Sequence, residues 1–371
     1  MPSLDNNIKA FLELVRAGLW EKEARLLPFE GVDFTEVYQL AQKQAVIGLV
    51  TAGLEHVEDI KIPQEIVLRS VGQVLQLEKR NQAMNDFIGS LVERMRNMGI
   101  YALLVKGQGI AQCYERPLWR TCGDVDFLLN HDNYKKAQDL LIPLATSVDQ
   151  ECDWHHGMTI DGWVVELHGG LHCGLSTKMD KVIDDVQRDV FNRGNVRSWL
   201  DGETPIVLPG IDNDVIFIFT HFLKHFYKEG LGLRQICDWC RLLCTYKESL
   251  NHGLLESRIR EMGLMTEWKA FAAFAVTYLG MPAEAMPLYS KEEKWKRKAR
   301  RILQFILMSG NFGHNRDYSY KKYPFLIRKF FSMKRRVSDL ARHALIFPMD
   351  SLRFFPKIIL DGLRAAAKGI G

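Results

Sequence analysis

The stretch RTCGDVDFLLN, residues 120–130, constrains this chain most, because it sets two aspartates into what otherwise reads as a buried strand. Side chains alternate across a strand, so Asp124, Asp126 and Leu128 share one face while Val125, Phe127 and Leu129 share the other. Two carboxylates about 4 Å apart repel by roughly 4 kcal/mol at an effective dielectric near 20. Such a pair needs cations or raised pKa values.

Hydrophobic period places this strand in the chain. Up to about Met98 the apolar residues recur at helical spacing, in IKAFLELVRAGLW, in FTEVYQLAQKQAVIGLVTAGL and in EIVLRSVGQVLQLEKRNQAMNDFIGSLVERMRNM. Asp33 and Thr35 stand where the second run should start, and IPQE where the third should. The period then shortens. GIYALLVKG (99–107) is an apolar run closed by glycine, as a buried strand is, and VDFLLN is another. Between them QGIAQCYERP predicts a short helix that stops near Pro117, and DNYKKAQDLLIPLA predicts one begun by Asp132 or Asn133. In HHGMTIDGWVVELHGGLH the DG pair separates two alternating runs, a hairpin signal. Its second arm sets Trp163, Val165 and Leu167 on one face and Val164, Glu166 and His168 on the other. After Pro209 the pattern is helical to the end, with breaks near Pro324, Pro348 and Pro356. The expectation is an α+β protein: a helical region over 1–98, a small mixed-sheet α/β core over 99–210, and a helical region over 211–371.

Composition narrows the classes. No window approaches the 18 uncharged apolar residues of a membrane span, and AFAAFAVTYLGM (271–282) reads as a buried helix. The opening residues carry acids early and no basic region before an apolar core, so a secretory leader is not expected. Seven cysteines, an odd number without a framework, suit a reducing cytoplasm. The formal charge of +4 hides an asymmetry: residues 291–371 hold 20 Lys+Arg against 6 Asp+Glu, leaving 29 against 39 in residues 1–290. A basic C-terminal part could attract nucleic acid, anionic lipid or a phosphorylated substrate, or simply neutralise the acidic body. Aromatics interleaved with its charges in RDYSYKKYPFLIRKFF suit base stacking or the core side of amphipathic helices, and SLRFFPKIILDGLRAAAKG could lie on an anionic membrane.

Glu166 adds a third acid to the aspartate pair, with Asp153 and Asp161 as alternatives. Three carboxylates from different strands, beside a glycine turn, form a template for divalent cations, and hard oxygen ligands suit Mg²⁺, with Mn²⁺ as the alternative. Two such ions roughly 3.5 to 4 Å apart can activate an attacking hydroxyl and neutralise a leaving pyrophosphate. His155, His156, His168, His172 and Cys173 crowd one region, but no spacing among them matches a closed structural zinc site. CDWCRLLC falls mid-helix with Leu242 and Leu243, so its cysteines read as small buried hydrophobes. His221 and His225 share one helical face and could bind metal or phosphate or simply pack, and Arg234 with Asp238 is expected to form a helix ion pair.

A strand ending in KG (Lys106, Gly107), a short helix and then R-x-x-x-D-x-D (Arg120 to Asp126) resemble the polymerase-β-type nucleotidyltransferase superfamily, and within it the uncharacterised bacterial nucleotidyltransferases whose turn reads KG. His221, His225, Gly232, Arg234 and Asp238 are similar to the helical C-terminal signature of that family. The resemblance implies a nucleotidyltransferase-like core in which Asp124, Asp126 and Glu166 hold the metals, Glu166 serving the acceptor hydroxyl as metal ligand or general base. Gly107 would let the backbone approach the triphosphate, Lys106 and Arg120 would neutralise phosphate charge or instead serve as structural ion-pair partners, Lys106 with the acid cluster, and His168 or His172 would orient Glu166 or contact substrate. Gln108 stands where a serine often contacts phosphate. The implied reaction moves a nucleoside monophosphate from an NTP to an acceptor hydroxyl or phosphate. The alternatives are a toxin-like transferase acting on tRNA or protein, an inactive nucleotide-binding regulator, and a phosphotransferase using the same metal logic.

Overall fold

The computed structural model describes residues 4–152, 154–313 and 324–367. Helix α1 (Asn6–Trp20) starts on Asp5, whose carboxylate accepts from the Asn7 amide, and α2 (Phe34–Lys43) starts on Asp33 in the same way. The run that reads as one helix is two, because the chain breaks before α3 (Ile47–Glu55). Ala45 takes φ 55° there, and the neighbouring Gln44 side chain accepts from the Leu233 amide at 3.0 Å and donates to the Ile306 carbonyl at 3.1 Å. Contacts from far along the chain hold that turn, and they override an unbroken apolar spacing. The glycines of α1 and α3 let the two helices touch: a Cβ on Gly18 would collide with the Leu49 carbonyl, and one on Gly53 with the Leu14 carbonyl.

Helix α4 (Gln64–Asn97) leads into β1 (Leu103–Val105), α5 (Gly107–Ala111), a single turn at Pro117–Trp119 and β2 (Asp124–Leu128). Helix α6 (His131–Leu141) is capped by Asn130, whose side chain accepts from the Asn133 amide, rather than by the expected Asp132 or Asn133. Strands β3 (Ser147–Val148), β4 (His155–Ile160) and β5 (Trp163–His168) follow. The β4–β5 turn is Asp161-Gly162 with φ 50° and 80°, the positive angles that a two-residue hairpin needs. Between Cys173 and Pro209, where no element is expected from the sequence, lie α7 (Thr177–Arg193) and a hairpin of β6 (Val196–Asp201) and β7 (Thr204–Pro209). The remainder is helical: α8 (Ile211–Lys228), α9 (Leu233–Thr245), α10 (His252–Met262), α11 (Met265–Tyr278), α12 (Glu293–Ser309), α13 (Phe325–Ile346) and α14 (Pro348–Ala367). Pro348 opens α14 as expected, but Pro356 lies inside it instead of ending it. Phe354, fully buried, and Ile358 pack on the core either side of that proline and hold the helix through it.

The five-stranded sheet runs β1-β2-β5-β4-β3, with β2 and β5 parallel and the other pairs antiparallel. Its two faces meet different cores. Val125, Phe127, Val165 and Leu167 pack with Met84, Ile88 and Leu91 of α4 and Tyr134 of α6. Leu103, Val105 and Leu128, on the opposite face, join the larger core built by α1 and the C-terminal helices. The aspartates of β2 stand on this second face, beyond the edge of the apolar contacts. Among the described residues no helix is long and apolar enough to cross a membrane.

Part of the basic excess of the C-terminal helices is spent inside the fold. Lys298 and Arg301 donate to the Ile346 and Leu345 carbonyls at the end of α13, and Arg353 donates to the Met262 carbonyl at 2.7 Å at the end of α10. Cations at helix C-termini neutralise unpaired carbonyls and the negative pole of the helix. The RDYSYKKY stretch, residues 316–323, lies outside the described residues.

Candidate active site

The site begins where β1 ends. Lys106 adopts φ 61° and ψ −147°, a backbone region that side chains seldom take, and Gly107 follows at φ 43°. A Cβ on Gly107 would lie 3.3 Å from the Cys122 sulfur and 3.5 Å from the Asp124 carbonyl oxygen, so this turn sits close against the start of β2. Backbone strain of this kind costs on the order of 1–3 kcal/mol and concentrates at functional sites. It turns the Lys106 ammonium back over the sheet, where Nζ donates to Asp126 Oδ1 at 2.6 Å.

Strand pairing brings the acids together. Asp126 is in register with Glu166 on the parallel neighbour β5, and His168, two residues on, shares the face of Glu166. On β4, His155 is in register with His168. Carboxylate oxygens of Asp124, Asp126 and Glu166 lie within 4.8 Å of one another. His168 Nε2 is 2.7 Å from Asp126 Oδ1 and 3.4 Å from Glu166 Oε2, and His155 Nε2 is 3.0 Å from Glu166 Oε2.

The electrostatics follow from this crowding. The Asp126 charge, and after it burial, raises the Asp124 carboxyl above its ordinary value. Burial works against the charge on Lys106, but Asp126 and Asp124 outweigh it and raise the ammonium. Burial alone would raise Glu166 too, yet hydrogen bonds from His155 and His168 hold it far below the usual carboxylate range. Three acids facing one lysine are the pattern that a divalent cation would relieve, and their oxygen donors suit Mg²⁺ or Mn²⁺.

Helices α8 and α9 form the opposite wall of a cleft of about 460 Å³ lined by Lys106, Gly107, Asp124, Asp126, His221 and Arg234 among others. His221 Nε2 is 3.0 Å from His225 Nε2, and His225 Nδ1 is 2.7 Å from Glu229 Oε2, a chain from the cleft to the surface. Burial and the charges of Lys106 and His225 hold His221 well below its ordinary pKa. Arg234 donates from Nη1 to the Thr121 carbonyl at 2.6 Å, while its charge acts on Asp124.

Several expected partners are different. Asp238 does not pair with Arg234 but with Arg120, whose Nε and Nη2 donate to Asp238 Oδ1 and Oδ2 at 2.7 Å each, and Tyr114 donates to Oδ1 at 2.8 Å. Arg120 is thereby a buried bidentate ion-pair partner rather than a group free to meet phosphate, although it borders the cleft. Gln108 turns away from the cleft, donating to Asn81 Oδ1 at 3.0 Å within the α4 packing. Asn81, fully buried, also donates to the Leu118 and Arg120 carbonyls at 2.7 and 2.8 Å, clamping the turn before β2. Nothing in the helical pattern of α4 distinguishes it from a surface amide. His156 bonds Gln138 and the Asp149 carbonyl, His172 bonds Asp184, and Cys173 is buried, so these three do not join His155 and His168. Asp161 is exposed in the hairpin turn, and Asp153 lies outside the described residues. Cys237 and Cys240 are buried in α9, packed as small hydrophobes.

Residues 30–280 match the model of a family described as uncharacterised nucleotidyltransferase. No curated protein and no solved structure matches the chain.

Proposed function

This chain belongs to the uncharacterised nucleotidyltransferase family, and from that premise we propose that its cleft transfers a nucleoside monophosphate from an NTP to an acceptor, with Mg²⁺ or Mn²⁺ held by Asp124, Asp126 and Glu166. The observation that carries the reading is the convergence of those three carboxylates within 4.8 Å of one another, with Asp124, Asp126 and Lys106 on the wall of an open cleft. When bound, divalent ions there neutralise the triphosphate and lower the pKa of an attacking hydroxyl. Asp124 and Asp126 supply ligand oxygens from one strand face. Burial works against the charge on Glu166, but hydrogen bonds from His155 and His168 hold it below the usual carboxylate range, so it stands ionised as a ligand oxygen. Lys106 and Arg234 face the phosphates, and Gly107 lets them approach the backbone. Gln108, turned inward, contributes no side chain to phosphate. The acceptor hydroxyl gives its proton to solvent water, its oxygen bonds to the α-phosphorus, the bond from that phosphorus to the α–β bridging oxygen breaks, and pyrophosphate leaves.

Incubation with α-labelled and γ-labelled NTPs, Mg²⁺ and a cell extract tests this. The α-label should appear on an acceptor and the γ-label in pyrophosphate; γ-label on the acceptor would instead mean phosphotransfer. Asp124→Asn with Asp126→Asn should lower transfer by about a thousandfold or more, since metal-borne charge stabilisation is worth several kcal/mol. Full activity in that folded double variant would remove the site assignment.

A further inference from the structure

We propose that the β4–β5 hairpin carries a second cation site, made by His155, His168 and Glu166, that takes a borderline transition ion such as Zn²⁺ or Co²⁺ in preference to Mg²⁺. The proposal goes beyond the transfer reading but shares Glu166 with its acid triad. The hairpin register builds the site: His155 is directly paired with His168 across β4 and β5, and Glu166 precedes His168 by two residues on the same face. One ligand atom from each of the three lies within 4.8 Å of the others. Glu166 Oε2 is 3.0 Å from His155 Nε2 and 3.4 Å from His168 Nε2. Ligand bonds of about 2.0–2.1 Å in a tetrahedron put neighbouring ligand atoms about 3.3 Å apart, close to the two spacings from Glu166 to the imidazoles.

The donor set decides which ion. Asp124 and Asp126 offer only oxygen and suit a hard ion, whereas two imidazoles and one carboxylate raise affinity along the series toward cobalt and zinc. His155 is 44% exposed, which gives an ion a route in from solvent, while His168 is nearly buried against Asp126. Asp126 Oδ1 lies 2.7 Å from the same His168 Nε2, so an ion bound by that nitrogen would replace the hydrogen bond and find Asp126 within reach as a further oxygen ligand.

Equilibrium dialysis of the full chain against Co²⁺, read by visible absorption and metal analysis, tests the site without reference to transfer. Wild type should retain Co²⁺ with the absorption of a nitrogen-ligated ion, in the presence of excess Mg²⁺. His155→Ala, a half-exposed change that circular dichroism should find folded, should bind Co²⁺ about tenfold or more weakly. Asp124→Asn should keep Co²⁺ while losing transfer, which separates the two sites. No Co²⁺ retained by wild type, Co²⁺ swept off by Mg²⁺, equal affinity in His155→Ala, or equal loss in Asp124→Asn would each overturn the proposal.

Discussion

Asp238 answers to two groups at once, the Arg120 guanidinium and the Tyr114 hydroxyl, and it lies 118 and 124 residues from them in sequence. Removing one charge of a buried pair strands the other, at a cost of about 3–5 kcal/mol, whereas losing a hydrogen bond to a charged group costs about 1.5–3 kcal/mol. Urea unfolding should therefore rank Asp238→Asn as more destabilising than Tyr114→Phe, and the reverse order would mean that the pair is not desolvated as described. A second residue-level prediction concerns pH. Glu267, fully buried with its Oε1 accepting from Tyr227, is pushed up to about 8 by burial first and by Asp350 next. Between the ordinary value of 4.5 and about 8 the unfolded chain binds fewer protons at this position than the folded one, so stability falls as pH rises through that window. Glu267→Gln should flatten the dependence of the unfolding midpoint on pH across it. Legibility at this scale divides by range. The shared face of Asp124 and Asp126 was readable because strand alternation alone sets it, while the partner of Arg120 was not, because Asp238 lies 118 residues away.

Elements were legible where one local rule dominates. The β4–β5 hairpin announced itself through alternation and a DG turn, and Asp33 marked the start of α2. The β6–β7 hairpin also closes on a two-residue loop, Gly202-Glu203, but its arms mix charge with apolar residues, and Leu200 is 65% exposed, so no clean inward face shows. The α2–α3 break was hidden because apolar spacing runs straight through it. Close contact of α1 with α3 gives the prediction at this scale. Gly18→Ala and Gly53→Ala each insert a methyl against a carbonyl of the partner helix, and overpacking of this sort costs about 1–3 kcal/mol. Gly72→Ala, on α4 with open space around it, should be neutral or slightly stabilising in the same thermal melt. Equal shifts for all three would count against the close crossing.

Across the whole molecule, the basic C-terminal helices are structural as well as charged. Ile302, Phe305 and Ile306 of α12, Ile346 of α13, Phe347 at the α13–α14 junction and Phe354 of α14 belong to the larger core, and Phe226 of α8 stacks edge-on with Phe305 and Phe347. Deleting residues 291–371 should therefore expose that core and yield a chain that has lost cooperative urea unfolding. A deletion that still unfolds cooperatively at the wild-type midpoint would show that these helices are an appendage. The two-faced seating of β2 has a consequence of its own. With Val125 and Phe127 gripped from below and Leu128 from above, the aspartate oxygens have no slack to drift, and a lesion in either interior, however distant, would be felt as a misaligned reaction centre before it was felt as collapse.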